Sequence, residues 1–461
     1  MSRVTTERLA AYAVLRRTFE LDEHTEVAFR DEVSTRRLGG RVRAQAQRLA
    51  YGAVQRRGST DAIVADLISK PGKRPDPAVM AALRLGMFEI LFADGTPDHA
   101  SVDQAVSLTR EAGAGHAAGF VNALLRRTLR ERDRIRERLS DDSTPAGAAL
   151  AHSVPLWLAE MWWRELGPDR ARRALAATNR PPERAVRVNT ARLSPDQAID
   201  RISGRDLALS RAEGEWPLAP AELLIARGSL AEVERAAADG LVVVQSRGSA
   251  AVVEVLDPRP GERVLDLCAG PGIKTGQIAA RVGRQGNLVS VEPDAKRAEQ
   301  VAAQLERLGF HNGLVIEADA REGEVMSDFD RVLVDAPCSD LGALASRPDA
   351  RWRKSPALIE RVTAMQAGIL DRAVVMLEPG GTLVYSTCTI SVRENGDQVR
   401  ALADRGAVEV DDLGALAPGL ADRGDSRFLQ LMPDRDRTTG FFIARLTKKG
   451  DTGREPPDRS G

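Results

Sequence analysis

The chain has 461 residues, 66 basic against 66 acidic, and is 43% hydrophobic, which is enough for several ordinary globular cores and leaves no global field to attract a polyanion. Its three cysteines and five histidines, with no CxxC or HxxxH pair among them, exclude a disulfide framework and give no reason to expect a structural zinc or any other metal. No apolar window of ~20 residues is present and the N-terminal segment is charged throughout, so neither a membrane span nor a secretory leader is expected and the chain reads as a soluble, cytoplasmic protein.

Residues 1–140 read as all-helical. "TTERLAAYAVLRRTF" opens on a capping Thr, and "DPAVMAALRLGMFEILFA" and "HASVDQAVSLTREAG" repeat the helical spacing of apolar positions. The segment closes on the Arg-rich run "LRRTLRERDRIRERL" (Leu125–Leu139). There, acids alternate with bases in a pattern that suits pairing within a helix as well as phosphate binding. A small helical bundle is the expected architecture. Residues 141–240 are mixed: "VPLWLAEMWWRELG" is helical, "ERAVRVNT" alternates like a short strand, and "SPDQAIDRIS" carries a helix start with Ser before Pro. This is expected to be a small α+β linking module. Over 241–449, short Val- and Leu-rich runs ("RVLDLCAG", "NLVSVEP", "GLVIEAD", "FDRVLVDAP", "GTLVYSTC") alternate with helical segments, the rhythm of a doubly wound α/β fold with a parallel sheet. Residues 450–461 are expected to be a disordered tail.

The first βα turn of that third region is Gly/Pro-rich: Cys268, Ala269, Gly270, Pro271, Gly272, Ile273, Lys274. Such a turn brings backbone N–H groups and a helix N-terminus close to a ligand, and its spacing is not GxGxxG, so NAD is not the first choice. Glu292 ends the second strand, where an acid suits a ribose diol, and Asp319 ends the third, where an acid can meet an adenine amino group. The ordered set points to S-adenosyl-L-methionine. Read singly, each acid is also a helix cap.

Asp335 and Cys338 follow the fourth strand and Cys388 follows the fifth. In a sheet of order 3-2-1-4-5 those strands are neighbours, so the two thiols are expected in one cleft beside the cofactor turn. Cys268, inside "DLCAG", reads as a core residue. A thiol, an acid and a methyl donor together suit methylation of carbon 5 of cytosine. Thiolate addition to C6 makes the ring an enamine whose C5 attacks the methyl group, an acid at ring N3 stabilises the adduct, and a base must then remove the C5 proton. Asp335 is placed for N3. Spacing leaves open which thiol attacks and which assists elimination.

"DLCAGPGIKT", "DAPCSDLG" with "RPDARW", and "YSTCTI…EN" resemble the RsmB (Sun/Fmu) branch of RNA cytosine-C5 methyltransferases, and "LRLGMFEILF" with "GFVNALLRRTLR" resembles the NusB-type RNA-binding domain of that branch. The resemblance implies that Cys388 is the nucleophile and Cys338 assists product release. It also implies cofactor contacts from the Cys268–Lys274 turn, Glu292, Arg297, Asp319 and Asp335. The chain departs from the family pattern in three places. Ile273 stands where Gly is common, "CSDLG" replaces Cys-Ser-Gly-Thr-Gly, and "VQSRGS" lacks Gln-Asp-x-Ala-Ser. The expected substrate is a cytosine in 16S rRNA, with the helical domain and "RPDARWRK" holding RNA backbone and the protein acting as a monomer. A transfer RNA substrate keeps the same chemistry. A non-catalytic RNA-binding or antitermination factor would need no intact Asp335, Cys338 and Cys388.

Overall fold

The computed structural model describes residues 3–68, 75–181, 183–204, 207–212, 218–228, 230–311, 313–322 and 326–450. The tail from 451 on lies outside them. The chain forms two compact units, one of Met1–Pro181 with Leu344–Ser355, the other of Pro182–Ala343 with Pro356–Gly461. Among the described residues no helix is long and apolar enough to cross a membrane.

The first unit is helical, and its helices run well past residue 140, through Pro145–His152 and Leu156–Leu166 to Pro168–Ala177. At its centre lies the helix Pro77–Leu91. Proline stands at its first turn, where a missing N–H costs nothing, and nearly every side chain from Val79 to Leu91 is buried. Two apolar clusters meet on it, one around Leu15, Leu49 and Leu85, the other around Leu83, Met87 and Leu125. The helix also carries a buried acid. Glu89 receives Nε and Nη2 of Arg8 at 3.1 and 2.6 Å, which keeps its charge compensated. In the Arg-rich run, Arg127 and Arg134 pair with Glu131, Arg132 with Asp98 and Arg138 with Asp66, so those cations are largely committed within the unit.

The excursion Leu344–Ser355 completes this unit. Arg351 is fully buried, and among the described residues its hydrogen-bond acceptors are carbonyl and amide oxygens rather than carboxylates. Its guanidinium donates to the carbonyls of Ser153 (3.2 Å), Thr178 (2.9 Å) and Leu344 (3.3 Å) and to Asn179 Oδ1 (3.0 Å). Trp352 donates Nε1–H to Val54 O at 2.8 Å, and Arg353 binds Asp349 at 2.7 Å and Asp22 O at 3.0 Å. The expectation that "RPDARWRK" holds RNA backbone is therefore corrected for Arg351, Trp352 and Arg353. Burial, with both Nη groups bonded to main-chain carbonyls and an amide oxygen while Nε stays unpartnered, makes Arg351 a structural cross-link.

The second unit begins with a four-stranded antiparallel sheet of order β2-β3-β1-β4: β1 Ala185–Val188, β2 Leu207–Ser210, β3 Glu222–Gly228 and β4 Val242–Val244. The expected helix start after Ser194 is present as a capping box, Ser194 Oγ accepting from Gln197 N and Gln197 Oε1 from Ser194 N. The larger sheet has β5 Arg263–Asp266, β6 Asn287–Glu292, β7 Gly313–Glu317, β8 Phe329–Asp335, β9 Leu377–Thr387, β10 Val408–Val410, β11 Leu429–Leu431 and β12 Phe441–Lys448. Its order is β10-β12-β9-β8-β5-β6-β7, with β11 on β12. Strands β5 to β9 are parallel in the expected 3-2-1-4-5 arrangement, and β12 runs antiparallel to β9. Successive residues alternate between two cores. Leu265, Val332, Val334 and Tyr385 enter one, and Val264, Leu333 and Val384 the other. Both faces are covered, so the strands read as continuous apolar runs. What the sheet leaves open is the crevice beyond its carboxyl ends, where the order reverses between β5 and β8.

Candidate active site

At the end of β5 the chain turns through Cys268–Gly272 into the helix Ile273–Val282. Gly270 (φ +55°) and Gly272 (φ +83°) both take left-handed backbone conformations. A Cβ on Gly272 would lie 3.0 Å from Val301 Cα, so glycine there serves close packing as well as the turn. Glu292, at the end of β6, is buried and takes Gly270 N–H at 2.9 Å and Asp294 N–H at 3.1 Å. It holds the turn's shape from behind. Arg297 stands 3.9 Å from Glu292, mostly exposed, on the helix Ala295–Leu308 that Asp294 caps by accepting Arg297 N–H at 2.9 Å. Asp319, beyond β7, is clamped by Arg321 through Nε (3.0 Å) and Nη2 (2.6 Å), which holds its carboxyl down at about 2.

Beneath the turn, burial raises Asp266 to about 6, with Thr275 Oγ1 donating to it at 2.7 Å in partial compensation. Its Oδ1 is a buried acceptor without a hydrogen-bond partner. An N–H-lined turn, an unmet acceptor and acids at the ends of β6 and β7 fit a ligand that carries an ammonium, a carboxylate and a ribose. S-adenosylmethionine is such a ligand. Cys268 packs against one of the sheet's cores, and burial, then the Asp266 charge, push its thiol well up, so it stays protonated and inert.

The other half of the site is built by β8 and β9. Their register sets Asp335 opposite Ser386, so the loops that follow leave the sheet side by side. Asp335 accepts from Lys274 Nζ at 2.6 Å and from Ser386 Oγ at 2.8 Å. Lys274 thus reaches from the cofactor turn to the thiol end, its ammonium also 5.1 Å from the Phe441 ring. Cys338 Sγ and Cys388 Sγ lie 3.3 Å apart, and Cys388 Sγ–H donates to Asp340 Oδ1 at 3.0 Å. The neighbouring Cys338 sulfur first, then burial, then the Asp340 charge push the Cys388 thiol well up.

Behind the thiols lies a buried polar lattice. Glu394 receives Ser339 N–H at 2.7 Å and Ser339 Oγ–H at 2.5 Å, and Gln366 Nε2 donates to Pro337 O at 2.9 Å. Thr387 Oγ1 donates to Asn395 Oδ1 at 2.5 Å, and Asn395 Nδ2 to Thr389 O at 3.1 Å. This lattice is the structural content of the "EN" pair in the third motif: it ties the Cys338 loop to the Cys388 loop.

The structure therefore brings together the turn Cys268–Lys274, Glu292, Asp335, Cys338 and Cys388, with Arg297 and Asp319 at the exposed rim. Sequence reasoning missed Ser386, Arg321 and Asp266. Ser386 was within reach, because pairing the two strand ends in parallel register puts it opposite Asp335. It also left Asp340 as an unexplained departure.

Residues 253–447 match the family model for 16S rRNA methyltransferase RsmB/F, residues 5–130 that of the NusB family, and residues 154–214 that of the RsmF/B-like ferredoxin-like domain. "Probable ribosomal RNA small subunit methyltransferase B" of Synechocystis sp. is 30% identical over 96% of this chain and 99% of its own length. The ribosomal RNA small subunit methyltransferase B of Pseudomonas syringae is 31% identical over 88% and 90%. The crystal structure of PH0851 shares the fold, with a TM-score of 0.79 over 97% of this chain and all of the other, at 24% identity. With its NusB-type helical domain, its small linking module and its doubly wound catalytic sheet, the chain belongs to the RsmB/F family of S-adenosylmethionine-dependent rRNA methyltransferases.

Proposed function

We propose that this protein methylates carbon 5 of a cytosine in small-subunit rRNA through a transient bond between Cys388 Sγ and ring C6. The observation that carries the reading is the pairing of two thiols 3.3 Å apart with an Asp335–Lys274 pair at the next strand end. Ordinary N- or O-methylation needs no thiol, whereas C5 of cytosine becomes nucleophilic only after addition to C6. S-adenosylmethionine supplies the electrophilic methyl group.

The chain's residues then divide the work. Cys388 attacks C6. Asp335 lies at the ring's N3, where negative charge develops, and the Lys274 ammonium on its Oδ2 is the proton source that the pair shares with N3. Cys338 stands beside the new bond and relays the C5 proton away, so that the C5=C6 bond re-forms and the sulfur leaves. The target base must be unstacked to admit this attack. The helical NusB-type domain and the linking module bind the surrounding RNA.

The test joins two measurements. Bisulfite sequencing of ribosomal and transfer RNA from cells with and without the protein should lose one 16S cytosine signal; loss of a tRNA signal alone would move the substrate. Because Cys338 is the release group, Cys338→Ala should accumulate a covalent protein–RNA adduct that survives a denaturing gel. A Cys338→Ala protein that turns over normally without an adduct removes Cys338 from that role.

A further inference from the structure

Asp340 holds a place that a carboxylate does not occupy by default. Its φ is +57°, a left-handed conformation that glycine adopts freely and that, among L residues, Asp and Asn tolerate best. The loop is fixed from both sides. Gly342 N–H donates to Cys388 O at 3.0 Å, Gly440 N–H to Gly342 O at 2.9 Å, and Ala343 N–H to Asp340 O at 2.9 Å. Leu341 is buried, which anchors the turn and explains the second member of the Asp340–Leu341 pair. The fixed turn aims the Asp340 carboxylate at the thiol, its Oδ1 3.0 Å from Cys388 Sγ.

Burial and the second sulfur make a resting thiolate unfavourable at Cys388, so its proton must leave in the step in which sulfur attacks. Resting on the cytosine-C5 reading above, we propose that Asp340 is the general base of this chain. Its carboxylate takes the Cys388 proton as Sγ bonds to C6 and returns it to the sulfur on elimination. In the first step S–H breaks, S–C6 forms, and the C5=C6 electron pair is released toward C5. That pair then bonds the methyl carbon of S-adenosylmethionine as the methyl–sulfonium bond breaks, and in the last step C5–H breaks, its proton passing by way of Cys338, and its electron pair re-forms C5=C6. The S–C6 pair goes back to sulfur with the proton held on Asp340, and the one proton released to solvent is the one from C5.

The full-length protein carries the test, with a 16S rRNA transcript and S-adenosylmethionine. Asp340→Asn keeps the shape and removes the base, and Asp340→Gly relieves the backbone. Both should lose about 100-fold in turnover with KM for S-adenosylmethionine unchanged. The Gly variant should gain in thermal midpoint, which separates lost chemistry from lost folding. The groups around the pair are Cys338 on the same loop, Asp335 at the end of β8 with Lys274 reaching it from the turn after β5, and Glu394 behind Ser339. All of them remain in both variants. Wild-type turnover should therefore level off once the carboxylate is ionised, while Asp340→Asn should keep rising about tenfold per pH unit through neutrality, as attack by a pre-formed thiolate requires. Asp340→Asn turning over within about threefold of wild type with the same pH profile would overturn the proposal. A transcript carrying 5-fluorocytidine separates the two levels of the reading, because fluorine blocks elimination. If wild type forms no adduct with it, the cytosine-C5 reading fails and takes the base with it. If wild type and both variants form the adduct at one rate, only Asp340 falls.

Discussion

At the β5–β6–β7 end of the sheet most charges are settled by the protein itself. Glu292 holds two backbone N–H groups, Asp319 holds Arg321, and Asp294 caps its helix. At the β8–β9 end, two sulfurs and a carboxylate crowd around one point, in a loop whose acid takes a left-handed backbone conformation. The bonds that shape the cofactor turn also hold the fold, so there binding and stability point the same way. At the thiol end they oppose each other, since on the proposed mechanism the crowding that makes Cys388 reluctant to ionise is also what places it for attack.

The sharpest way to break this contrast is Cys388→Ala, which should abolish incorporation of tritiated methyl into RNA, by about 10³-fold or more, and leave the thermal midpoint level or higher. A variant that unfolds instead would make the thiol end structural. Lys274→Met cuts the link between the two ends and leaves Asp335 without its cation. Turnover should fall on the order of 100-fold, with weaker S-adenosylmethionine binding by calorimetry; a loss confined to binding would make Lys274 part of the cofactor end alone. Asp266→Asn probes the one strained charge at the cofactor end. Its folded pKa of about 6 lies above the ordinary 3.8, so the folded protein holds a proton there that the unfolded chain gives up. The stability that proton supplies is full below about pH 4 and is lost as pH rises through about 6, by roughly 2–3 kcal/mol. Urea unfolding at pH 4.5 and 7 should show that loss in wild type and not in Asp266→Asn. Gly272→Ala is the mildest change. Its Cβ would press on Val301 at a positive φ, for about 1–2 kcal/mol of unfolding free energy and a matching loss of cofactor affinity.

The catalytic half of the fold was legible because both faces of its sheet are buried, so the strands stand out as unbroken apolar runs and the turns between them carry the polar residues. The neighbouring positions of Cys338 and Cys388 followed from strand order alone. What stayed hidden depends on contacts that spacing does not encode. Asp319 looked like a free acid, yet Arg321 two residues on closes over it. Asp340 looked like an arbitrary departure until its distance to Cys388 was known. Arg351 was misread for a physical reason: an arginine bound for solvent or phosphate and one that will meet five carbonyl and amide oxygens look alike in a sequence, and only burial tells them apart.

That buried arginine also orders events in time. The helical unit is not finished when residue 181 leaves the ribosome, because Leu344–Ser355 belongs to it and is made only after residues 182–343. At ribosomal speeds of about 5–20 residues per second, the carbonyls of Ser153 and Thr178 wait roughly ten to forty seconds for their guanidinium. The nascent NusB-type bundle is therefore an open, incompletely sealed body throughout synthesis of the first four parallel strands of the catalytic sheet. It closes only once the Cys338 loop, just upstream of the sealing segment, has itself been made.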